Sequence, residues 1–264
     1  LLAASKWRLC LHATGATSAR GQALRAHGAG LFANLCLPSI VGGDVIRAGM
    51  VARGRSLSAL TVASVADRVV DVAALLVLAA LGALWTPGVL PSGTELALEA
   101  IAAAIVGGIV AGVVALRLAP IDHLPKALRR PITALREATD ALNARPGVAA
   151  LGFALSLAVQ TSFVALNAML GRALGIDVPF AVWMLCWPLA KLVALAPVSL
   201  GGFGVREAAL AGLLGAFGVE SAAAVGQSLL WQAAMIALGL VAGARAFGVG
   251  RGADEEEDDD TART

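Results

Sequence analysis

The chain has 264 residues, of which 58% are hydrophobic and 14% charged, and its formal net charge is +2. Soluble domains carry about 25% charged residues, and a soluble fold of this size could not cover so much apolar surface without exposing large patches. The composition excludes an ordinary soluble domain and offers no basic surface for nucleic acid, so a membrane protein is predicted.

In chain order, Leu1–Leu11 reads as the last turns of a helix that begins upstream, because the chain opens Leu1-Leu2-Ala3 without a Met or a signal-peptide plan. Gly28–Met50 is apolar but interrupted by Pro38, Gly42 and Gly43. Leu57–Trp85 exceeds the roughly 20 residues a span requires and carries Asp67, Arg68 and Asp71 in its first half. Ala100–Leu116 is a shorter predicted span, with Gly108 and Gly112 at the spacing that lets helices approach closely. Val148–Leu170 and Ser221–Ala244 carry no charge and are also predicted to span. Between them lies a second interrupted stretch, Phe180–Gly218, containing Pro188, Pro197, Gly201, Gly202 and Gly204. Short or Gly/Pro-interrupted apolar segments predict re-entrant or broken helices. The expected fold is all-α: a polytopic bundle over residues 1–252, followed by an acidic tail over 253–264 whose run Asp254–Asp260 predicts disorder.

Basic residues orient this scheme. Ala119–Gly147 carries Lys126, Arg129, Arg130, Arg136 and Arg145, whereas Thr86–Thr94 carries no Lys or Arg. The first segment is expected in the cytoplasm and the second outside. Arg47, Arg53 and Arg55, and then Arg245 and Arg251, place the region before Leu57 and the C-terminus in the cytoplasm. These assignments agree only if each interrupted stretch returns to the side it came from. Leu124, Leu128, Ile132 and Leu135 recur at helical spacing in the basic segment, which suggests an interfacial helix. Pro131 leaves an ordinary basic loop as the alternative.

The two interrupted stretches share one pattern. Pro38-Ser-Ile-Val-Gly42-Gly43-Asp44-Val-Ile-Arg47 and Pro197-Val-Ser199-Leu-Gly201-Gly202-Phe-Gly204-Val-Arg206 both read P-x-x-x-G-G-x-x-x-R. Charge counting puts them on opposite sides, so an inverted repeat is predicted, a design found in transporters. Pro and Gly-Gly break a helix and expose amides, which is tolerable at depth only beside a cavity or ligand. A helix that begins after such a turn points its dipole at that cavity, and the arginine adds full charge, a combination suited to an anionic headgroup. Asp44 and Glu207 are expected to pair with the two arginines when no lipid is bound.

Asp67 lies ten residues past Leu57, roughly 15 Å along a helix and near mid-membrane. Intramembrane charges face partners or water-filled cavities. Asp67 and Asp71 share a face at i,i+4, and Arg68 can reach Asp71 at i,i+3. The group either lines a functional cavity or locks helices together. Lys191 stands open in the same way, between function and snorkelling to the interface. Gln160, Asn167, Gln227 and Gln232 read as interhelical hydrogen bonders, and the five tryptophans as interfacial or packing residues. Cys10, Cys36 and Cys186 and the three histidines have no metal-ligand spacing, so neither metal nor cofactor is predicted.

Phe32-Ala-Asn34-Leu-Cys-Leu-Pro38-Ser39 through Gly42-Gly43-Asp44-Val-Ile-Arg47, then Asp67-Arg68, then Pro197 through Arg206-Glu207 resemble, in order, the signatures of the lysylphosphatidylglycerol synthase transmembrane (flippase-like) family. The resemblance covers about Gly28 to Ala244. It implies a multi-pass cell-membrane protein, not an enzyme, that handles an anionic phospholipid or a polyprenyl-linked lipid. The soluble aminoacyl-transferase domain of the multiple peptide resistance factor is not part of this chain. A separate lipid-modifying enzyme as partner and a homo-oligomer fit the same implication. The headgroup site it implies comprises Asn34, Pro38, Gly42, Gly43, Asp44, Arg47, Asp67, Arg68, Asp71, Lys191, Ser199, Gly201, Gly202, Arg206 and Glu207. A membrane glycosyltransferase and a non-transporting scaffold are the rival classes. The first would normally place acidic residues in an outer loop, and Thr86–Thr94 has none.

The orientation is testable by cysteine labelling. Cysteines introduced at Arg136 and Ser92 are expected to react from opposite sides of the membrane, and reaction from one side would remove both the orientation and the inversion.

Overall fold

The computed structural model describes residues 1–14, 18–36, 42–52, 57–86, 126–195 and 204–261, with isolated positions 103, 107 and 114. These residues form α1 (Leu2–Ala13), α2 (Arg20–Cys36), α3 (Gly42–Val51), α4 (Leu57–Trp85), α5 (Lys126–Asn143), α6 (Pro146–Ala173), α7 (Phe180–Val193), α8 (Val205–Gly215) and α9 (Ser221–Thr261). No strand occurs among them. Among the described residues, three helices are long and apolar enough to cross a membrane, at Ser58–Trp85, Pro146–Ala173 and Ser221–Gly248. Apart from those isolated positions, the expected span Ala100–Leu116 lies outside the described residues, as does the segment 87–94.

Part of the interior is small or polar, and much of the outer surface is apolar. On α6, buried Gly152, Ser156, Gln160, Val164, Asn167, Ala168 and Gly171 make one stripe at near-fourfold spacing. Leu151, Leu166 and Met169 point outward on the same helix, as do Leu229, Leu230, Leu238, Leu240 and Val241 on α9. Hydrocarbon solvates such side chains as well as a protein core does, so the inward stripe of α6 is free to use small and hydrogen-bonding groups.

Two apolar clusters share α4. Its first half packs Leu60, Ala63, Ala66 and Val70 with Trp7, Leu11, Ala23, Ala26, Ala138 and Leu142. Its second half runs beside α7, whose Trp183, Trp187 and Ala190 pack with Leu210, Leu214 and Trp231. A Cβ on Gly82 would stand 2.5 Å from Leu185 N, so only glycine lets α4 and α7 cross this closely. On the other side, α9 lies against α2, with Gly239 and Gly243 facing Leu35 and Phe32. This G-x-x-x-G approach was not predicted; the predicted pair, Gly108 and Gly112, lies outside the described residues.

The interrupted stretches become helical hairpins. α2 runs unbroken through Gly28 and Gly30 to Cys36, and α3 returns along it; α7 and α8 likewise pack together. The breaks themselves fall on residues 37–41 and 196–203, outside the described residues. The contacts are reciprocal. The first hairpin, α2–α3, precedes α4, and α4 packs on α7; the second, α7–α8, precedes α9, and α9 packs on α2. α4 thus covers the second hairpin and α9 the first.

One local expectation is corrected. Pro188 lies inside α7 and does not break it, because a membrane helix can lose one backbone rung when its neighbours enclose it. Of the two readings of the basic segment, the helix is the one found, over Lys126–Asn143 with Pro131 inside it; Leu124 lies outside the described residues. Its buried face is Ala134, Ala138 and Leu142, with Ile132 and Leu135 at the flank.

Replacing Gly82 with Ala is expected to destabilise the detergent-solubilised chain by about 1–3 kcal/mol through overpacking against Leu185. Gly49→Ala is the control, because a Cβ there meets nothing within 4 Å. Thermal unfolding should separate the two variants.

Candidate functional site

The polar groups are set by where α3, α4 and α7 face one another. Asp67 and Asp71, one turn apart on α4, both point at Lys6 of α1, whose ammonium lies 3.2 Å from Asp67 Oδ1 and 2.6 Å from Asp71 Oδ1. Lys6 is 3% exposed, as low as many core leucines, so these two carboxylates replace its water shell. From α3, Arg47 donates to Asp67 Oδ2 at 3.4–3.5 Å and to Asp44 Oδ1 at 2.9 Å, and its guanidinium stacks 4.5 Å from the Trp7 ring centroid. Arg68 donates to Asp44 Oδ2 at 2.9 and 3.2 Å. Asp44 thus bridges two arginines, and Lys6, Arg47 and Arg68 meet three carboxylates in one closed group.

α3 is held in place by a backbone approach. Gly43 N donates to Asn34 Oδ1 at 2.9 Å, and a Cβ on Gly43 would run into that side chain and the Gly30 carbonyl. This is the physical reason for the second glycine of the first signature: it lets α3 lie on α2 and aims Asp44 and Arg47 at α4.

Asp71 connects the group to the second unit. It accepts from Ser156 Oγ and, at 3.1 Å, from Gln160 Nε2 on α6. Gln160 Oε1 in turn accepts from Lys191 Nζ of α7 at 2.8 Å. Lys191 also lies 5.1 Å from the Phe163 ring centroid. Phe163 and Trp187 pack edge-on against Trp231, at 5.4 and 4.8 Å, and Arg206 of α8 stands 5.6 Å from the Trp187 centroid. Arg206 donates to Glu207 Oε1 at 2.5 Å and to Gln232 Oε1 at 2.9 Å. Gly204, at φ 82°, begins α8 and donates its N–H to Glu207 Oε2 at 2.7 Å.

The described residues of the predicted site lie in two groups. Asn34, Gly42, Gly43, Asp44, Arg47, Asp67, Arg68 and Asp71 gather at α2–α4, and Lys191, Arg206 and Glu207 at α7–α8. Pro38, Ser199, Gly201 and Gly202 lie outside the described residues. Both arginine–carboxylate pairs of the signatures, Arg47–Asp44 and Arg206–Glu207, are formed. Two geometric expectations change. Arg68 pairs with Asp44 rather than with Asp71, because Asp71 is already occupied by Lys6, Ser156 and Gln160. Arg206 does not join Arg47, Asp67 and Arg68, because each signature arginine is held by the long helix of its own unit, Asp67 on α4 or Gln232 on α9.

Lys6, Ser156 and the Trp7 and Trp187 rings escaped the sequence reading. A lone lysine inside the apolar helix Leu2–Ala13 was the available signal for Lys6. Gln227 and Asn167 join α9 to α6 at 2.6 Å, as interhelical hydrogen bonders should. Among the described residues, no group of three or more His, Cys, Asp or Glu could hold a metal ion.

Removing the Asp67 carboxylate leaves Lys6 and Arg47 short of charge in the interior. Asp67→Ala is expected to destabilise by about 3–5 kcal/mol. Glu207→Ala should have a smaller effect, because Arg206 keeps Gln232 and is partly exposed. Thermal unfolding of the purified variants measures both.

No curated protein and no solved structure matches this chain. The family model for the lysylphosphatidylglycerol synthase TM region matches residues 1–243, which include both signatures, the charged half of α4 and nearly all of the helical bundle. With the all-helical architecture and the three apolar spans, this match shows that the chain is a membrane protein belonging to the lysylphosphatidylglycerol synthase TM-region family.

Proposed function

We propose that this chain is a lipid transporter of flippase type, which passes the headgroup of an anionic phospholipid or lipid-linked intermediate along the polar interior while the acyl chains stay in the bilayer. The observation that carries this reading is the charge distribution inside the bundle. Lys6, Arg47, Arg68 and Lys191 are linked through side-chain contacts to Asp44, Asp67 and Asp71, four cations to three carboxylates. Such groups are costly in hydrocarbon and favour a polar cavity or an anionic ligand.

The re-entrant reading of the two hairpins supports the same function. α3 and α8 have 10 and 11 residues, about 15–17 Å of helix and too short to cross the roughly 30 Å hydrocarbon layer. Two such hairpins entering from opposite leaflets would leave a thin barrier, and the reciprocal packing of α4 on α7 and α9 on α2 suits alternating exposure of the two sides. No bond-making step is involved. The location is the cell membrane, with the C-terminus and α5 in the cytoplasm.

Purified chain reconstituted in liposomes with a fluorescent anionic phospholipid is expected to speed equilibration of the probe between leaflets. Rates equal to those of protein-free liposomes would end the transport reading and leave a scaffold or an accessory to a glycosyltransferase. Gly43→Leu should abolish the acceleration, because α3 can no longer seat on Asn34.

A further inference from the structure

The two ends of the polar chain are not equivalent. Around α3 and α4 the ions close on themselves: Lys6, Arg47 and Arg68 balance Asp44, Asp67 and Asp71, three against three. Arg47 is 5% exposed, shares two carboxylates and is stacked on Trp7, so an incoming anion would have to displace Asp44 or Asp67 to reach its charged face. Lys6, Arg47 and Asp67 are thereby locked together, whereas the Arg68 side chain, held by Asp44, is 41% exposed. The surplus charge sits elsewhere.

Lys191 touches no carboxylate among the described residues; its ammonium donates to the neutral Gln160 and lies over Phe163. It is half-buried and so remains reachable. Lys191 and Trp187 are one turn apart on α7, and Arg206 lies over the Trp187 ring, so the two cations border one aromatic cluster, Phe163 and Trp187 joined by Trp231. Arg206 commits Nη2 to Glu207 and Gln232. Beneath both cations lies an aromatic floor of Phe163, Trp187 and Trp231, and Trp187 Nε1 is a buried donor with no hydrogen-bond partner. Lys191, Arg206 and Glu207 together carry a net charge of +1, which one singly charged phosphodiester neutralises.

We propose that Lys191 and Arg206, over the Phe163–Trp187–Trp231 floor, form the seat for the phosphodiester of an anionic lipid headgroup, and that the Arg47–Asp67 group positions helices without touching the lipid. This rests on the lipid-handling reading and locates its anion site in the second unit alone. The aromatic floor holds the cations apart from further carboxylates, and the low polarity around it strengthens their pull on a phosphate. Gln160 is the positioning residue that fixes Lys191 relative to Asp71.

Binding can be measured apart from transport. The full chain in detergent is titrated calorimetrically with dihexanoyl phosphatidylglycerol, with glycerol 3-phosphate as the free-phosphate arm and dihexanoyl phosphatidylcholine as the zwitterionic one. Lys191→Gln and Arg206→Gln are each expected to weaken phosphatidylglycerol binding by roughly tenfold or more, the scale of one lost charged hydrogen bond. Lys191→Arg should stay within a few-fold of the parent, and Arg172→Gln, at the exposed end of α6, should match it. Phosphatidylcholine should bind more weakly, since its ammonium meets two cations.

Unchanged affinity in Arg206→Gln overturns the seat even if Lys191→Gln fails to fold, because Arg206 is partly exposed and lies outside the locked group. Loss confined to glycerol 3-phosphate, with the lipid unaffected, also overturns it. If the variants lose lipid binding while the parent fails to accelerate lipid equilibration in liposomes, the seat stands and the transport reading falls.

Discussion

The bundle depends on a carboxylate that cannot be left alone. Asp67 lies on the inward face of a membrane-length helix at 5% exposure, and hydrocarbon offers it nothing. Its charge is met by Lys6 from α1 and Arg47 from α3, so three helices that are remote in sequence must come together for any one of them to sit in the membrane. Asp44 and Asp71 extend the requirement to Arg68, to Ser156 and Gln160 on α6, and through Gln160 to Lys191 on α7. Apolar contacts can slide past one another, but an ion pair in a low-dielectric interior cannot be exchanged for water. The ionic group therefore fixes register, while the glycine and alanine surfaces of α2, α4 and α9 fix distance.

The two units solve one geometric problem with different chemistry. In each, a short helix after the signature carries an arginine, a neighbouring carboxylate pairs with it, and the following long helix offers a second acceptor. The first unit uses Asp67 and closes its charges. The second uses the neutral Gln232 and a wall of aromatic rings. The first unit thereby pairs its cations directly with carboxylates, whereas Lys191 of the second reaches a carboxylate, Asp71, only through Gln160.

The hairpin positions, the charged half of α4 and the pairing of each signature arginine with its neighbouring acid were legible because they rest on local spacing. Pro and Gly-Gly mark a break, and i,i+4 carboxylates share a face, whatever surrounds them. Partner choice was not legible. Arg68 could reach Asp71 by helical spacing, but Asp44 takes it, since Asp71 is held by a lysine sixty-five positions earlier and a serine eighty-five later. Lys6 was read as part of an apolar helix end, and Pro188 as a break, because neither the enclosure of α7 nor the proximity of α1 to α4 is written in adjacent residues.

By itself, the sequence determined the solvent and the elements. Its apolar fraction requires a bilayer, its long charge-free stretches require spans, and its repeated signature requires two similar interruptions. Only the tertiary structure decided that α4 covers the second hairpin and α9 the first. It also decided that the two arginines occupy separate groups, and that Lys191 meets Gln160 rather than a carboxylate. The reason is that hydropathy acts on each residue through the medium around it and can be summed along a chain. Electrostatic balance belongs to pairs, and which charges meet at about 3 Å is known only once the helices have crossed.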